Sequence, residues 1–342
     1  MSLSSGCILC HQGAKMVLFV TGRCGRSCWY CPLSSGRKGT DTVYANEHPI
    51  DIPAQVVGIA EKMNALGTGV TGGEPLLCLG KVTEYCRLLK KRFGPGHHIH
   101  LYTAKAPTES ELMQMKGLVD EIRIHPPHDS WKEILDSEFI ESAKRAKVMG
   151  FDIGIEVPAL PGLEYLIPAL PYLDFLNINE LEWGETNAYA MRERGYELAD
   201  ELHNAIDGAR NWAEELLQHE KVHWCSSAFK DSVQLRERLK RIAKNTARAF
   251  DEITEDGTVV YGVLEIPPSC SNGGSVSDPA GALASAAAWC RENFGPESYE
   301  LYPDRIETAW WLLSEHADKL PGGKAVVERY PDNGMIVERT PL

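Results

Sequence analysis

Between residue 16 and about residue 180 the chain alternates between two kinds of segment. Short apolar runs rich in β-branched and aromatic residues lie near 16–21, 68–71, 99–103, 119–125, 151–157 and 173–179. Patterns with helical spacing occupy roughly 53–67, 79–93, 108–117, 132–149 and 163–170. Short apolar runs bounded by turn signals fit buried strands, and strands that alternate with helices across short loops build a parallel sheet. Local punctuation agrees. Ile52-Pro53 opens the first helix, with proline suited to an early helical position, and Thr108-Glu109-Ser110-Glu111 forms a capping-box-like start for the third. Six such units are too few to close an eight-stranded barrel.

The first strand delivers the chain to a group of thiols. Met16-Val17-Leu18-Phe19-Val20-Thr21 is bounded by Gly13 and Gly22, and Cys24-Gly25-Arg26-Ser27-Cys28-Trp29-Tyr30-Cys31 follows it. Three thiolates spaced C-x3-C-x2-C can hold three irons of a [4Fe–4S] cluster and leave the fourth open, whereas such clusters normally have four cysteines. Downstream, Gly69-Val70-Thr71 runs into Gly72-Gly73-Glu74-Pro75, a strand ending in a glycine pair that lets backbone approach a ligand closely. Zinc is the competing reading. Its sites usually show paired C-x2–4-C arms, and zinc does not require a glycine-rich segment 41 residues beyond Cys31.

This combination resembles the radical S-adenosylmethionine (radical SAM) superfamily. The signature there joins this cysteine spacing, an aromatic residue before the last cysteine (Tyr30 here) and a GGEP-type segment. The resemblance implies a partial (β/α)6 barrel, which the six units match. It implies that Cys24, Cys28 and Cys31 ligate the cluster and that the open iron binds the amino and carboxylate groups of S-adenosylmethionine (SAM). Tyr30 would lie near the adenine, and Gly72, Gly73, Glu74 and Pro75 would meet the methionine ammonium. A reduced cluster would pass one electron to the sulfonium, giving methionine and a 5′-deoxyadenosyl radical that abstracts hydrogen from substrate. The protein would supply ligation, orientation and exclusion of water.

In such a barrel the chemistry gathers at the C-terminal strand ends. After the third strand, Thr103 could meet the SAM ribose hydroxyls and Lys105 its carboxylate. His125-Pro126-Pro127-His128 follows the fourth, where a solvated loop is the plainer reading. After the fifth, Glu156 could pack on adenine or point a carboxylate into the cavity. After the sixth, Asn177 to Asn187 is unusually polar and acidic. Buried polar side chains without partners would cost several kcal/mol, so substrate or SAM contact is expected there, with Asn179 and Glu180 as the candidate catalytic residues.

The N-terminal segment, residues 1–15, carries Cys7-Ile8-Leu9-Cys10-His11. A candidate second metal, zinc or Fe–S, would use Cys7 and Cys10 and be completed by His223 and Cys225 of the strand-like Lys221–Cys225. Sulfur with imidazole suits zinc. The bland alternative is ordinary thiols on a mobile terminus and in a strand. Ten cysteines in a long chain with no secretion signal favour metal ligands over disulfides. No apolar run approaches a membrane span, so a cytoplasmic enzyme, anaerobic in keeping with its cluster, is expected. The net charge of −13 gives no overall footprint for nucleic acid.

The barrel is expected to occupy 16–190 and a small α+β accessory domain 191–342. Within the latter, Glu197–His219 reads as an amphipathic helix. Lys230–Glu252 reads as a basic helix bearing Arg236, Arg238, Lys240, Arg241, Lys244 and Arg248. Such a helix could grip a phosphate-bearing substrate, including RNA, or be a solvated face balanced by acidic neighbours. A strand at 258–266, a mobile Ser/Gly/Asn loop at 269–278, helices at 280–294 and 304–319, and a hairpin of 325–330 with 335–339 across Asn333-Gly334 complete the tail.

Gly13–Leu33, Asn177–Asn187 and Cys225–Arg238 resemble an archaeal group related to the pyruvate formate-lyase activating enzyme. That kinship implies reductive SAM cleavage with an electron from ferredoxin or flavodoxin. Three functions remain in play. One is a radical enzyme acting on a small molecule or modifying RNA or protein. The second is an activase that makes a glycyl radical on a partner. The third is a non-catalytic Fe–S or zinc protein, which would have no need of a SAM cradle.

Overall fold

The computed structural model describes residues 3–266 and 278–342, and the chain divides into two compact units at Leu235 and Arg236. The first begins with helix α1 (Ser5–His11), whose N-terminus is capped by the Ser4 hydroxyl accepting from the Cys7 amide. Strand β1 (Lys15–Phe19) is followed by a short hairpin, β2 (Val43–Ala45) and β3 (His48–Ile50). Then come α2 (Ala54–Lys62), β4 (Gly67–Thr71), α3 (Leu79–Phe93), β5 (His98–Thr103), α4 (Glu109–Met115) and β6 (Glu121–Ile124). The series continues with α5 (Glu138–Val148), β7 (Asp152–Pro158), β8 (Phe175–Asn179), α6 (Ala188–Glu193), β9 (Val222–Cys225) and the single turn α7 (Ser227–Phe229).

These strands form one sheet in the order β3-β2-β1-β4-β5-β6-β7-β8-β9. From β1 onward the neighbours are parallel, and β2 covers the β1 edge antiparallel. All six expected strands form, and the α/β partial barrel stands. A seventh parallel strand, β9, joins it, with Leu176 opposite Val222 and Asn179 opposite Cys225. Residues 191–235, expected in the accessory domain, therefore belong to the barrel unit.

The helix expected over 197–219 does not form. The Asp200 carboxylate accepts from the amides of Leu202 and His203, and Gly208 adopts φ 71°, so the backbone turns instead. Only the short 3-10 pieces Ala209–Ala213 and Leu216–Gln218 remain.

Two-residue periodicity sorts the strand side chains. Ile99 and Leu101 of β5, Ile122 and Ile124 of β6, and Ile153 and Ile155 of β7 are fully or almost fully buried. Each such side chain contributes about 1.5–3 kcal/mol relative to exposure. The alternate positions are polar: His100 and Tyr102, Glu121 and Arg123, Glu156, Asn177. Arg123 joins them, donating to Glu121 and to Glu156 at 2.6 Å each and to the Tyr102 hydroxyl at 3.1 Å. Helix α1 closes this interior at the strands' N-terminal ends. The Gly6 amide donates to Glu121 at 2.9 Å, and Lys15 donates to the Gly6 carbonyl at 2.7 Å. Glycines on β4 make the room. A Cβ on Gly67 would stand 2.7 Å from Leu9, and one on Gly69 would stand 2.5 Å from the His100 ring.

The second unit contains α8 (Arg236–Thr246), β10 (Glu252–Ile253), β11 (Val259–Glu265), α9 (Pro279–Asn293), β12 (Tyr299–Leu301), β13 (Arg305–Thr308), α10 (Trp310–Glu315), β14 (Gly323–Arg329) and β15 (Ile336–Pro341). Its antiparallel sheet runs β12-β13-β11-β14-β15, with β10 also on β11. One core gathers Leu264, Cys290, Phe294, Ile306 and Leu313, and another Phe250, Tyr261, Val263 and Val327.

The expected helix over 304–319 gives way to β13 and the shorter α10, because Arg305–Thr308 pairs with β11. The hairpin forms as expected, and Asp332 and Asn333 take the positive φ its turn requires. The expected helix over 230–252 breaks at the unit boundary. Lys230–Leu235 is π-helical, and only Arg236–Thr246 continues as α-helix. The loop expected at 269–278 lies outside the described residues apart from Asp278.

Candidate active site

The loop after β1 is shaped by close backbone contacts. The Gly22 amide donates to the Thr40 carbonyl at 2.7 Å, and a Cβ there would come 1.7 Å from the Arg37 carbonyl oxygen. The loop carries Cys24, Cys28 and Cys31 to the wall of a cavity of about 730 Å³. That cavity opens at the C-terminal strand ends, where Gly72, Thr103, His125, Glu156 and Asn179 also line it.

Gly72 and Gly73 lie in the wall, and their lack of side chains lets the two loops touch. Gly73 donates to the Thr21 carbonyl at 2.6 Å and Glu74 to the Arg23 carbonyl at 2.8 Å. A Cβ would come 2.5 Å from Thr21 O at Gly72 and 2.4 Å from Arg23 O at Gly73. Pro75 also lines the cavity.

Glu74 is placed differently. Its buried carboxylate accepts from the Leu76 amide at 3.0 Å, the Thr103 hydroxyl at 2.7 Å and the Ala104 amide at 2.7 Å. It staples the glycine loop to the end of β5 and is not among the cavity-lining residues. Lys105 is also turned away, paired with Glu111 at 3.2 Å.

Glu156 reaches the cavity with its carboxylate held. Burial alone would raise its pKa. Arg123 and the amides of Asn177 and Asn179, each at 2.9 Å, more than offset burial and hold it below its ordinary value. Asn177 and Asn179 thus satisfy Glu156. Asn179 lines the cavity while Asn177 lies deeper, also donating to the Cys7 sulfur at 3.3 Å. Glu180 lines the cavity and accepts the Ser227 amide at 2.8 Å.

The rest of the polar 177–187 stretch clamps the cysteine loop. Thr186 donates to the carbonyls of Cys31 at 3.0 Å and Leu33 at 2.6 Å. Asn187 donates to the Tyr30 carbonyl at 3.1 Å, and Glu185 accepts from Ser35.

Tyr30 is buried in the wall, and its phenol meets His125 Nε2 at 3.0 Å. Burial, then the neighbouring Cys28, raises the phenol's pKa, so it stays protonated. His125, read as part of a solvated loop, and Lys230 are the cavity residues that sequence reasoning did not single out, while Glu182 falls in the polar stretch where contact was expected. Lys230 lines the cavity and pairs with Glu182 at 2.6 Å. The signal available for His125 was its place directly after β6. Lys230 sat inside a run read as one long basic helix.

The four candidate ligands of a second metal do not converge. The Cys7 sulfur accepts from Arg123 at 3.4 Å and from Asn177. The rings of His11 and His223 lie 5.6 Å apart, and Cys225 accepts from Gln234 at 3.8 Å. Burial pushes the Cys10 thiol up, the Cys225 thiol up to about 12 and His223 down to about 4. Among the described residues, the group of metal-binding side chains that does converge is His98, His100 and Glu121.

Comparison with known proteins bears on this geometry. Residues 18–165 match the radical SAM superfamily, and residues 257–342 match a domain of unknown function, DUF8061. A Methanocaldococcus jannaschii protein provisionally named a glycyl-radical enzyme activating enzyme is 36% identical over 277 residues, covering 77% of this chain and 73% of that relative. The chain belongs to the radical SAM superfamily.

Solved structures also align with the chain at low similarity. SuiB from Streptococcus suis, bound to S-adenosylmethionine, aligns at TM-score 0.42 and 13% identity over 62% of this chain and 50% of its own. TsrM from Kitasatospora setae, a radical SAM methyltransferase with tryptophan and a SAM analogue bound, aligns at 0.38 and 12% over 56% and 43%. The chain spans about half the length of these solved structures.

The residues present fit the cofactors of a radical SAM enzyme. Cys24, Cys28 and Cys31 line the cavity together with the side-chain-free backbone of Gly72 and Gly73, which touches the same loop. With its cofactors bound, such an enzyme cleaves SAM reductively at a [4Fe–4S] cluster to give a 5′-deoxyadenosyl radical for hydrogen abstraction. No helix among the described residues is long and apolar enough to cross a membrane.

Proposed function

We propose that this chain is an activating enzyme, one that takes a hydrogen atom from a glycine presented by a partner protein. The observation that carries this reading is the extended identity with the M. jannaschii relative, which spans most of both chains. The cavity supports it by opening beside the loop residues Ser34, Arg37 and Lys38, where an extended peptide segment can enter.

In this reading Cys24, Cys28 and Cys31 ligate the cluster. Gly72, Gly73, Pro75 and Thr103 form the wall against SAM, and Tyr30 packs at its adenine end. Glu156 and Asn179 act as a fixed polar pair, since the carboxylate is already committed to Arg123 and both asparagines. Glu180 and the Lys230–Glu182 pair border the substrate side. Exclusion of water falls to Asn187 and Thr186, which hold the cysteine loop closed over the cavity.

Arg26 and Lys38 are exposed cations that give the cysteine loop a basic face in a chain of net charge −13, while Arg23 is paired with Asp41 at 3.8 Å. That face suits a small acidic electron carrier of the flavodoxin or ferredoxin class. The free thiols of the described residues suit a reducing, anaerobic cytoplasm. RNA is disfavoured. Lys230 pairs with Glu182, Lys240 with Glu237, and Arg248 with Asp251, so these cations of the basic run face carboxylates.

The test is anaerobic reconstitution of wild type and Cys28→Ala, followed by iron and sulfide counting and assay of 5′-deoxyadenosine after dithionite reduction. About four irons, with deoxyadenosine from wild type alone, is expected. Peptides carrying α-deuterated glycine then serve as probes. Deuterium in the deoxyadenosine supports the activase reading, and cleavage with no transfer from any such peptide overturns it.

A further inference from the structure

The polar floor of the barrel carries a feature that radical chemistry does not use. His98 and His100 lie two residues apart on β5 and so share a face. Glu121 opens β6 directly opposite His100. His98 Nε2 lies 3.6 Å from one Glu121 oxygen, and His100 Nδ1 lies 3.7 Å from the other. One donor atom from each residue falls within 4.8 Å of the others. We propose that His98, His100 and Glu121 form a binding site for a divalent transition-metal ion, separate from the cysteine loop.

Two imidazoles and one carboxylate are a donor set for zinc and its first-row neighbours. Both ring nitrogens of His98 are buried and make no hydrogen bond among the described residues. An imidazole left in that state carries an uncompensated desolvation cost, which a bound ion would relieve. Glu121 is held for the purpose: the Gly6 amide meets one oxygen at 2.9 Å, while Ser4 at 3.2 Å and Arg123 at 2.6 Å meet the other. Such outer partners orient ligating carboxylates. A second cavity of about 570 Å³, lined by Ser5, Ile8, Leu9 and Phe93, reaches His98, the outermost of the three ligands.

The cations around the site decide how an ion would bind. Arg123 remains on Glu121 and Glu156. The Lys15 ammonium contacts His100 Nδ1 and the Gly6 carbonyl, so it stands on the lone pair an ion would need. The ion would displace this ammonium, leaving Lys15 on the Gly6 carbonyl. Lys15 is thus a built-in competitor. The site lies at the strand start and the SAM cavity at the strand end, about 16 Å apart along six residues of β5.

The probe is zinc chloride, added anaerobically to the cluster-loaded full chain. After desalting, iron and zinc are counted by mass spectrometry. One zinc beyond the cluster iron is expected for wild type and for Cys7→Ser/Cys10→Ser. His98→Ala should lose the zinc while keeping its iron and its melting temperature. Lys15→Met should bind zinc at least tenfold more tightly. Absence of zinc from wild type, or retention of it by His98→Ala, overturns the site.

Discussion

Nε2 of His125 accepts the Tyr30 phenol at 3.0 Å, while Nδ1 of the same ring donates to the Glu156 carbonyl at 3.0 Å. One imidazole therefore ties the cysteine loop to β7 and sets the ring of the residue before Cys31. Burial lowers the pKa of His125, so the ring is neutral and Nε2 is free to accept. Tyr30→Phe breaks the tie without changing shape. Iron content should be unchanged while SAM cleavage slows about tenfold, equivalent to about 1.4 kcal/mol. Deoxyadenosine formation by the cluster-loaded variant checks this, and an unchanged rate would show that the tie positions nothing.

Gly73→Ala puts a methyl group 2.4 Å from the Arg23 backbone oxygen. Backbone cannot move aside as a side chain end can, so the cysteine loop must shift. The variant should retain less than half the wild-type iron after desalting, with the second unit's fold unaffected. Full iron loading would contradict this account of the glycine pair.

Arg123→Met leaves Glu121 and Glu156 buried without their shared cation. Stranding a buried charge costs about 3–5 kcal/mol, so the barrel unit should melt about 10 °C lower. Adding Glu156→Gln should recover part of the loss. Differential scanning calorimetry of both variants reads the effect.

Asn187 reaches across 157 residues to the Tyr30 carbonyl. Asn187→Ala removes that anchor at a cost of about 1–2 kcal/mol. The expected result is release of iron to a chelator several times faster than from wild type, with the barrel unit melting only a few degrees lower.

Glu307 in the second unit is buried between Arg305, at 2.6 Å, and Arg248. Burial alone would raise its pKa, but the two guanidinium groups hold it below the ordinary value. The unfolded chain therefore takes up the proton first. Glu307 stabilises the unit above about pH 4.3, and its contribution fades as pH falls through the lower native value. Acid unfolding monitored by tryptophan fluorescence should show this loss below about pH 4.3, and Glu307→Gln should flatten it.

The barrel strands, the cysteine spacing and the glycine pair were all legible in the chain itself. Each depends on neighbours within a few residues: the two-residue alternation of Ile99 and Leu101, the hydrogen-bond menu of Thr108–Glu111, the absent side chains of Gly72 and Gly73. Partner choice was not legible. Glu74 belongs by motif to the SAM wall, yet Thr103 and Ala104 take its carboxylate, because strand register brings β5 beside the end of β4.

Cys7 and Cys10 read as a metal pair from spacing. Helix α1 turns Cys7 onto Arg123 and Asn177, and the convergent donors are His98, His100 and Glu121. The seventh strand was invisible as part of the barrel because 42 residues separate Asn179 from Val222. Local sequence determined which segments are strands and which loop carries the thiols. Only the tertiary structure decided which buried polar groups meet, because their pairing depends on the register of strands far apart in the chain.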